Sequence, residues 1–210
     1  MKVIAFNGSA RPQGNTYTML EQVAEPLREK GIDVEVIHVG NAFLGCKACS
    51  QCAKMKNEQC SIEDSLNDWI RLAKEADGML LGSPVYFCGI SGGMKAFLDR
   101  MFYVSGSNGN LFRHKVGASV VAARRSGGVA TFDQLNHYLL YSEMLVPGSN
   151  YWNVGHGAAR GEVAQDLESC QIMRVLGENM AWLLQVVAAG QESVVKPAQQ
   201  QKAYMNFIRS

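Results

Sequence analysis

An excess of either charge is missing from this 210-residue chain: 20 Lys and Arg stand against 19 Asp and Glu, a formal net charge of +1. Binding to a polyanion or an anionic membrane surface needs a one-signed field, so the balance argues against nucleic-acid and membrane partners. No apolar run approaches the ~18 residues of a membrane span. The opening Met1-Lys2-Val3-Ile4-Ala5-Phe6-Asn7-Gly8 has too short an apolar stretch for a signal peptide and reads as a first buried strand. The expectation is a cytoplasmic protein. Repeats and low-complexity blocks are missing too, apart from Gln199-Gln200-Gln201.

What the chain does have is regular alternation. A chain of this length can bury about 70% of the surface its unfolded form exposes, so a core needs no disulfide scaffold. Lys2 to Asn7 reads as a strand, and Thr16 to Lys30 as a helix with Leu20, Val23, Ala24 and Leu27 on one face and Pro26 as a potential kink. Asp33 to Val39 reads as a second strand. Ser61 and Asp64 stand at capping-box spacing before Leu66, Trp69, Ile70 and Ala73. Gly78 to Tyr86 is an apolar strand whose end Pro84 should break, and Gly92 to Phe102 a short helix. Val116 to Ala123 then pairs with a helix over Phe132 to Met144, and a weaker strand around Val146 to Val154 with a long helix over Val163 to Ala188. The long helix carries an apolar stripe of Val163, Leu167, Cys170, Met173, Leu176, Met180, Leu183 and Val187. Strands and helices in alternation imply an α/β fold, a doubly wound five-stranded parallel sheet with helices on both faces. Ligands in such sheets bind beyond the carboxyl ends of the strands.

The first strand-end loop is Gly8-Ser9-Ala10-Arg11-Pro12-Gln13-Gly14-Asn15-Thr16. It is neither a Walker A loop nor a GxGxxG fingerprint. It nonetheless offers small residues, the hydroxyls of Ser9 and Thr16, the charge of Arg11 and a following helix N-terminus, which together suit a terminal phosphate. An ordinary turn capped by Asn15 or Thr16 would look the same. After the fourth strand, Arg124, Arg125, Ser126, Gly127 and Gly128 could bring charge and backbone N–H groups to a cofactor, or could be a solvated loop. Asn153 and His156, with Tyr151 and Trp152, occupy the fifth loop, and His156 lines a site or serves structure. Cys88 reads as a small buried thiol and Cys170 as core. No Ser–His–Asp set or paired-carboxylate device is present.

Four of the six cysteines, Cys46, Cys49, Cys52 and Cys60, give C-x2-C-x2-C-x7-C. The two spacings among the first three cysteines match those that wrap a cubane in bacterial ferredoxins, but the last differs and no Pro follows Cys60. A [4Fe-4S] cluster, zinc on four thiolates, and a metal-free thiol loop all stay open.

The segment Gly8 to Thr16 resembles the phosphate loop of the NADPH-dependent FMN reductase family, and Gly82-Ser83-Pro84-Val85-Tyr86 resembles its flavin-ring loop. Ala122 to Gly128, Thr131 to Asn136 and Tyr151 to Gly157 are similar to segments of a flavodoxin-fold branch that includes the iron–sulfur flavoproteins. The resemblance implies FMN, with Ser9, Arg11, Gly14, Asn15 and Thr16 on its phosphate and Pro84, Val85, Tyr86, Phe87 and Gly89 along its ring. It implies one flavodoxin-like FMN-binding domain over residues 1–190, a cysteine loop inserted at 44–60 after the second strand, and a tail over 191–210. In the tail, Tyr204, Phe207 and Ile208 could dock on a partner or on the domain itself. The four cysteines would be the cluster ligands.

The activity so implied is an FMN-dependent oxidoreductase with the chemistry carried by the flavin. Electrons would come from NAD(P)H, or from a ferredoxin-like donor, and go to a small acceptor such as a quinone. The assembly would be a homodimer or homotetramer. Rival readings are an electron carrier without a dedicated substrate and a flavin-binding redox sensor.

Overall fold

Five parallel strands lie in the order β2-β1-β3-β5-β6 in the computed structural model, which describes residues 1–203. They are β1 (Lys2–Asn7), β2 (Asp33–His38), β3 (Gly78–Tyr86), β5 (Val116–Ala123) and β6 (Val154–His156), and β4 (Gly89–Ile90) turns back antiparallel on β3. Between them run α1 (Asn15–Glu29), α2 (Gln51–Met55), α3 (Leu66–Glu75), α4 (Gly92–Ser107), α5 (Gly128–Tyr141), a 3-10 turn over Glu162–Gln165, and α6 (Leu167–Gly190). Tyr204, Phe207 and Ile208 lie outside the described residues. Among the described residues no helix is long and apolar enough to cross a membrane.

Covering a sheet on both faces demands strands that are apolar at every position. β5 is buried along its whole length, and β3 is buried from Gly78 to Ser83. Two separate cores result. Ile4, Phe6, Met79 and Leu81 pack with Leu66, Ile70, Phe97, Met101, Leu135 and Leu139 of α3, α4 and α5. Val3, Ala5, Leu80 and Val120 pack on the other face with Leu20, Val23, Met173, Leu176 and Met180 of α1 and α6. The crossing of α1 with α6 is close: a Cβ on Gly177 would lie 2.4 Å from the Val23 carbonyl oxygen and 2.5 Å from Pro26 Cγ. Pro26 therefore sits inside α1, buried against that glycine, without ending the helix.

Several elements depart from the sequence reading. β3 does not stop at Pro84. Its pairing with β5 ends there, at Pro84–Ala122, while the strand continues to Tyr86 and folds into β4. Proline lacks the N–H that a further ladder step would need. The strand expected over Val146 to Val154 shrinks to β6 and one bridge, Val116–Leu145, because Pro147-Gly148-Ser149-Asn150 is a turn sequence. α4 runs five residues beyond Phe102, and α5 begins at Gly128 and ends at Tyr141. Val163 belongs to the 3-10 turn, not to α6, and Leu167 is 79% exposed. Asp166 caps α6, accepting from the Ser169 N–H at 3.1 Å. The cysteine segment, expected to be irregular throughout, holds the short helix α2.

Candidate functional site

The loop after β1 is folded by its own side chains. Asn7 accepts from the Ser9 N–H at 3.1 Å and donates to the Pro12 carbonyl at 2.9 Å, while Ser9 Oγ accepts from the Arg11 N–H at 3.1 Å. Gly14 occupies the N-cap of α1, so no side chain caps this helix. The first N–H groups of a helix carry partial positive charge and need acceptors. Beside them Thr16 Oγ1 is buried without a hydrogen-bond partner. Arg11 is exposed at the rim. An uncapped helix start, an orphaned hydroxyl and a nearby guanidinium are what a bound phosphate would complete, so these residues fit the FMN phosphate. Asn15 serves differently. Its amide donates to the carbonyls of Gly157 (3.0 Å) and Ala159 (2.9 Å), and its oxygen accepts from the Val163 N–H at 3.4 Å. Its side chain ties the segment after β6 to this loop and leaves only its backbone for a ligand. Arg160 adds bonds of 2.7 Å to the carbonyl and the side chain of Gln13.

The hairpin β3–β4 has a two-residue loop, Phe87 and Cys88, with φ of 49° and 58°. Positive φ at both positions is the type I′ geometry that favours Asn-Gly, and for residues with a Cβ it costs roughly 1–2 kcal/mol each. The strain is held from beneath. Gln134 accepts from the Ile90 N–H at 3.2 Å and donates to the Cys88 carbonyl at 3.4 Å. Ser91 donates through its N–H to Ser83 Oγ (3.0 Å) and through its hydroxyl to the Gly8 carbonyl (2.6 Å), linking the hairpin to the phosphate loop. On the open side Phe87 is fully exposed and Tyr86 is half exposed. Cys88 is exposed rather than buried, because the turn projects it outward. Gly89 packs closely on Gln134, not toward the open face. Pro84 and Val85 are half-buried beneath the turn.

Gly127 brings the third loop in. With φ of 85°, it lies so near the hairpin that a Cβ would stand 2.8 Å from Cys88 Cα and 3.0 Å from Val85 Cγ1. Only glycine meets both conditions. The loops after β1, β3 and β5, adjacent strands, thus meet at one end of the sheet. Arg124, Arg125 and Ser126 are exposed there, and Gly128 begins α5.

Beyond that loop a second concavity, of about 340 Å³, is lined by Arg125, Gly127, Gly128, Tyr151, Trp152 and His156, with Asp166 and Ile172. Asp166 accepts from the His156 N–H at 2.9 Å and lies 3.4 Å from His156 Nδ1. Partial burial pushes the Asp166 carboxyl up, but the N–H groups of His156 and Ser169 prevail and hold it below the usual range. Asn153 is structural: buried, it donates to the Ser119 carbonyl at 3.0 Å. Gln134 and Ser91 were not singled out by sequence reasoning. An N-cap serine before the α4 pattern was a readable signal for Ser91, whereas Gln134 gave none.

Cys46, Cys49, Cys52 and Cys60 line one small cavity of about 20 Å³, together with Arg100, Tyr103 and Val104. To bend the chain around it, Ala48, Ser50, Lys56 and Glu58 all take positive φ, between 51° and 62°. Four such residues in eleven persist only where surrounding contacts fix them. Asn67 accepts from the Cys60 N–H at 2.8 Å and donates to its carbonyl at 3.1 Å. Asn108 accepts from the Glu58 N–H at 3.1 Å. The Ser61 hydroxyl, 3.1 Å away, lowers the Cys49 thiol, and burial raises that of Cys52. Among the described residues no three His, Cys, Asp or Glu side chains converge on a single ion. The donor set, four thiols lining one cavity with a buried cation beside them, suits in its chemistry a thiolate-bound group of net negative charge. Cys170 lies apart on α6, half-buried, with its sulfur 3.1 Å from Gln22 Nε2.

A parallel sheet with a phosphate-fitting loop after its first strand, flanked by a strained hairpin and a glycine-bearing loop, defines a flavodoxin-like α/β protein. Among solved structures, RosB with bound 8-demethyl-8-formylriboflavin-5′-phosphate superposes with a TM-score of 0.70 at 15% identity, covering 100% of this chain and 94% of that one. An NAD(P)H:quinone oxidoreductase from Methanothermobacter marburgensis gives 0.65 at 14% identity, covering 86% of this chain and 96% of that one. In sequence, an iron–sulfur flavoprotein of Methanocaldococcus jannaschii is 35% identical over 89% of this chain and 99% of its own length. The model of the NADPH-dependent FMN reductase family matches residues 1–159, and the chain belongs to that family.

Proposed function

We propose that the protein is an FMN-dependent oxidoreductase that takes electrons from NAD(P)H, or from a ferredoxin-like donor, and passes them to a small acceptor such as a quinone. The observation that carries the reading is the orphaned Thr16 hydroxyl at the uncapped start of α1. The loop leading to it leaves β1, the strand adjacent to β3 and to the hairpin that exposes Tyr86 and Phe87. FMN, when bound, supplies the electron transfer itself. The protein's part is to bind and orient: Thr16, Ser9, Arg11 and the α1 N–H groups hold the phosphate, while the backbone of Pro84 to Gly89 and of Ser126 to Gly128 lines the ring. The concavity between Arg125, Trp152 and His156 is the proposed place for the donor or acceptor, since it opens beside Gly127 and Gly128 and falls within the size range of small-molecule sites.

The gathering of the four cysteines around one cavity favours a second element of the reading, a [4Fe-4S] cluster on Cys46, Cys49, Cys52 and Cys60, as an electron entry point. Helix α4 joins the two places. Ser91 at its cap holds Gly8 and Ser83, and Arg100, nine residues and about 14 Å of helix further on, lines the cysteine cavity. The family's iron–sulfur flavoprotein relatives support this reading.

Anaerobic addition of NADH or NADPH to FMN-loaded protein tests the enzyme. Bleaching of the flavin absorbance within seconds, and its return on adding a quinone, is expected. Flavin that only reduced ferredoxin can bleach would leave the carrier reading in its place.

A further inference from the structure

Arg100 is the largest fully buried side chain among the described residues, with none of its side-chain surface exposed. A guanidinium out of water is costly unless paired and hydrogen-bonded. Asp64 pairs with it bidentately, Nη1 to Oδ2 at 2.7 Å and Nη2 to Oδ1 at 3.0 Å. The carbonyls of Ile62 and Leu44 accept at 3.3 and 3.4 Å, and the Phe43 ring lies 5.9 Å off. Cys60 is a further partner, its Sγ accepting from both Nε and Nη2 at 3.4 Å. The pair is also lopsided. Asp64 keeps 28% of its side chain in water, so the cation is the deeper partner and its field is less screened toward the cysteine cavity.

We propose that Arg100 is a positioning residue for a [4Fe-4S] cluster on the four cysteines, fixing Cys60 as a ligand and raising the cluster's one-electron reduction potential. The inference rests on the cluster reading given above. Reduction adds one electron to the cluster and breaks no bond, so the reduced form carries one more negative charge. A fixed buried cation stabilises that form over the oxidised one, and N–H bonds to the ligand sulfur act in the same direction. A role confined to folding the loop would leave the potential unmoved.

The test is a dithionite titration with redox mediators, followed by electron paramagnetic resonance, on protein reconstituted anaerobically with ferrous iron and sulfide. Arg100→Gln is made together with Asp64→Asn, so that no carboxylate is left facing a lost partner, and Arg100→Lys is run beside it. Circular dichroism and flavin content report whether each variant folds. At the potential where the native cluster is half reduced, the double variant is expected to raise the oxidised-to-reduced ratio at least tenfold, about 59 mV for one electron. The lysine variant should fall between. Iron lost from the double variant but kept by the lysine variant at a shifted potential, with flavin and dichroism intact, would equally support the hold on Cys60. A native potential and iron content in the double variant overturns the proposal. Native protein that keeps flavin but takes up no iron or sulfide overturns it together with the cluster, and leaves the FMN reading standing.

Discussion

Leaving the Thr16 hydroxyl buried and unpaired by the protein costs about 1–3 kcal/mol, which a group from outside the chain, water or ligand, recovers. Thr16→Val should therefore leave the flavin-free protein as stable as the native one, or slightly more so, by urea unfolding. The same change should weaken FMN about tenfold or more, the worth of a hydrogen bond to a charged group. Thr16 was legible in sequence because its role is local. Asn15, its neighbour, was not: its partners Gly157 and Ala159 lie 142 and 144 residues away, and no local pattern foretells that its side chain turns from the phosphate. Asp166 carries a pH prediction at this scale. Its carboxyl is depressed in the folded state, so its contribution is fully present above the ordinary aspartate value, about 3.9, and is lost as pH falls through the lower folded value. Unfolding measured between pH 6 and 2 should lose part of its acid sensitivity in Asp166→Asn, since asparagine also caps the helix but does not titrate.

Among the elements, the β3–β4 hairpin couples strain to exposure most tightly. Phe87 and Cys88 hold positive φ where Asn-Gly would do so without penalty. Replacing the pair by Phe87→Asn and Cys88→Gly should stabilise the flavin-free protein by about 2–4 kcal/mol through relief of that strain at both positions. It should also weaken flavin binding, because Phe87 is fully exposed and packs on nothing in the chain itself. A gain in melting temperature without loss of flavin affinity would show the turn to be mere connection. The opposite case is α6, where Gly177→Ala gains about 1 kcal/mol of helix propensity yet forces a methyl to 2.4 Å from the Val23 carbonyl. Net destabilisation of about 1–3 kcal/mol is expected in urea unfolding. Strands and long helices were readable because apolar periodicity reports burial directly. The hairpin was not, since Phe-Cys is a poor turn sequence and only the clamp of Gln134 and Ser83 with Ser91 imposes it. Pro84 and the Pro147 to Asn150 turn punctuate the chain as proline and glycine do. One merely ended a pairing, however, and the other consumed most of an expected strand.

Across the whole molecule, the near-zero net charge conceals local concentration. Arg11, Arg124 and Arg125 stand at the strand ends, and Arg100 is buried at the cysteine cavity. The clustering of four cysteines was plain from spacing. The buried arginine that faces them was not, because it sits on an apolar helix 40 residues beyond Cys60 and only packing brings the two together. The central claim is that FMN binds where the loops after β1, β3 and β5 meet. Its most direct test is an equilibrium titration of flavin-free protein with FMN, read by flavin fluorescence, for the native chain, Thr16→Val and Gly127→Val. Saturation at one FMN per chain is predicted for the native protein, with affinity reduced about tenfold or more by the lost hydroxyl and by the valine driven into Cys88. No saturable binding by the native chain, or native affinity in both variants, would contradict the account.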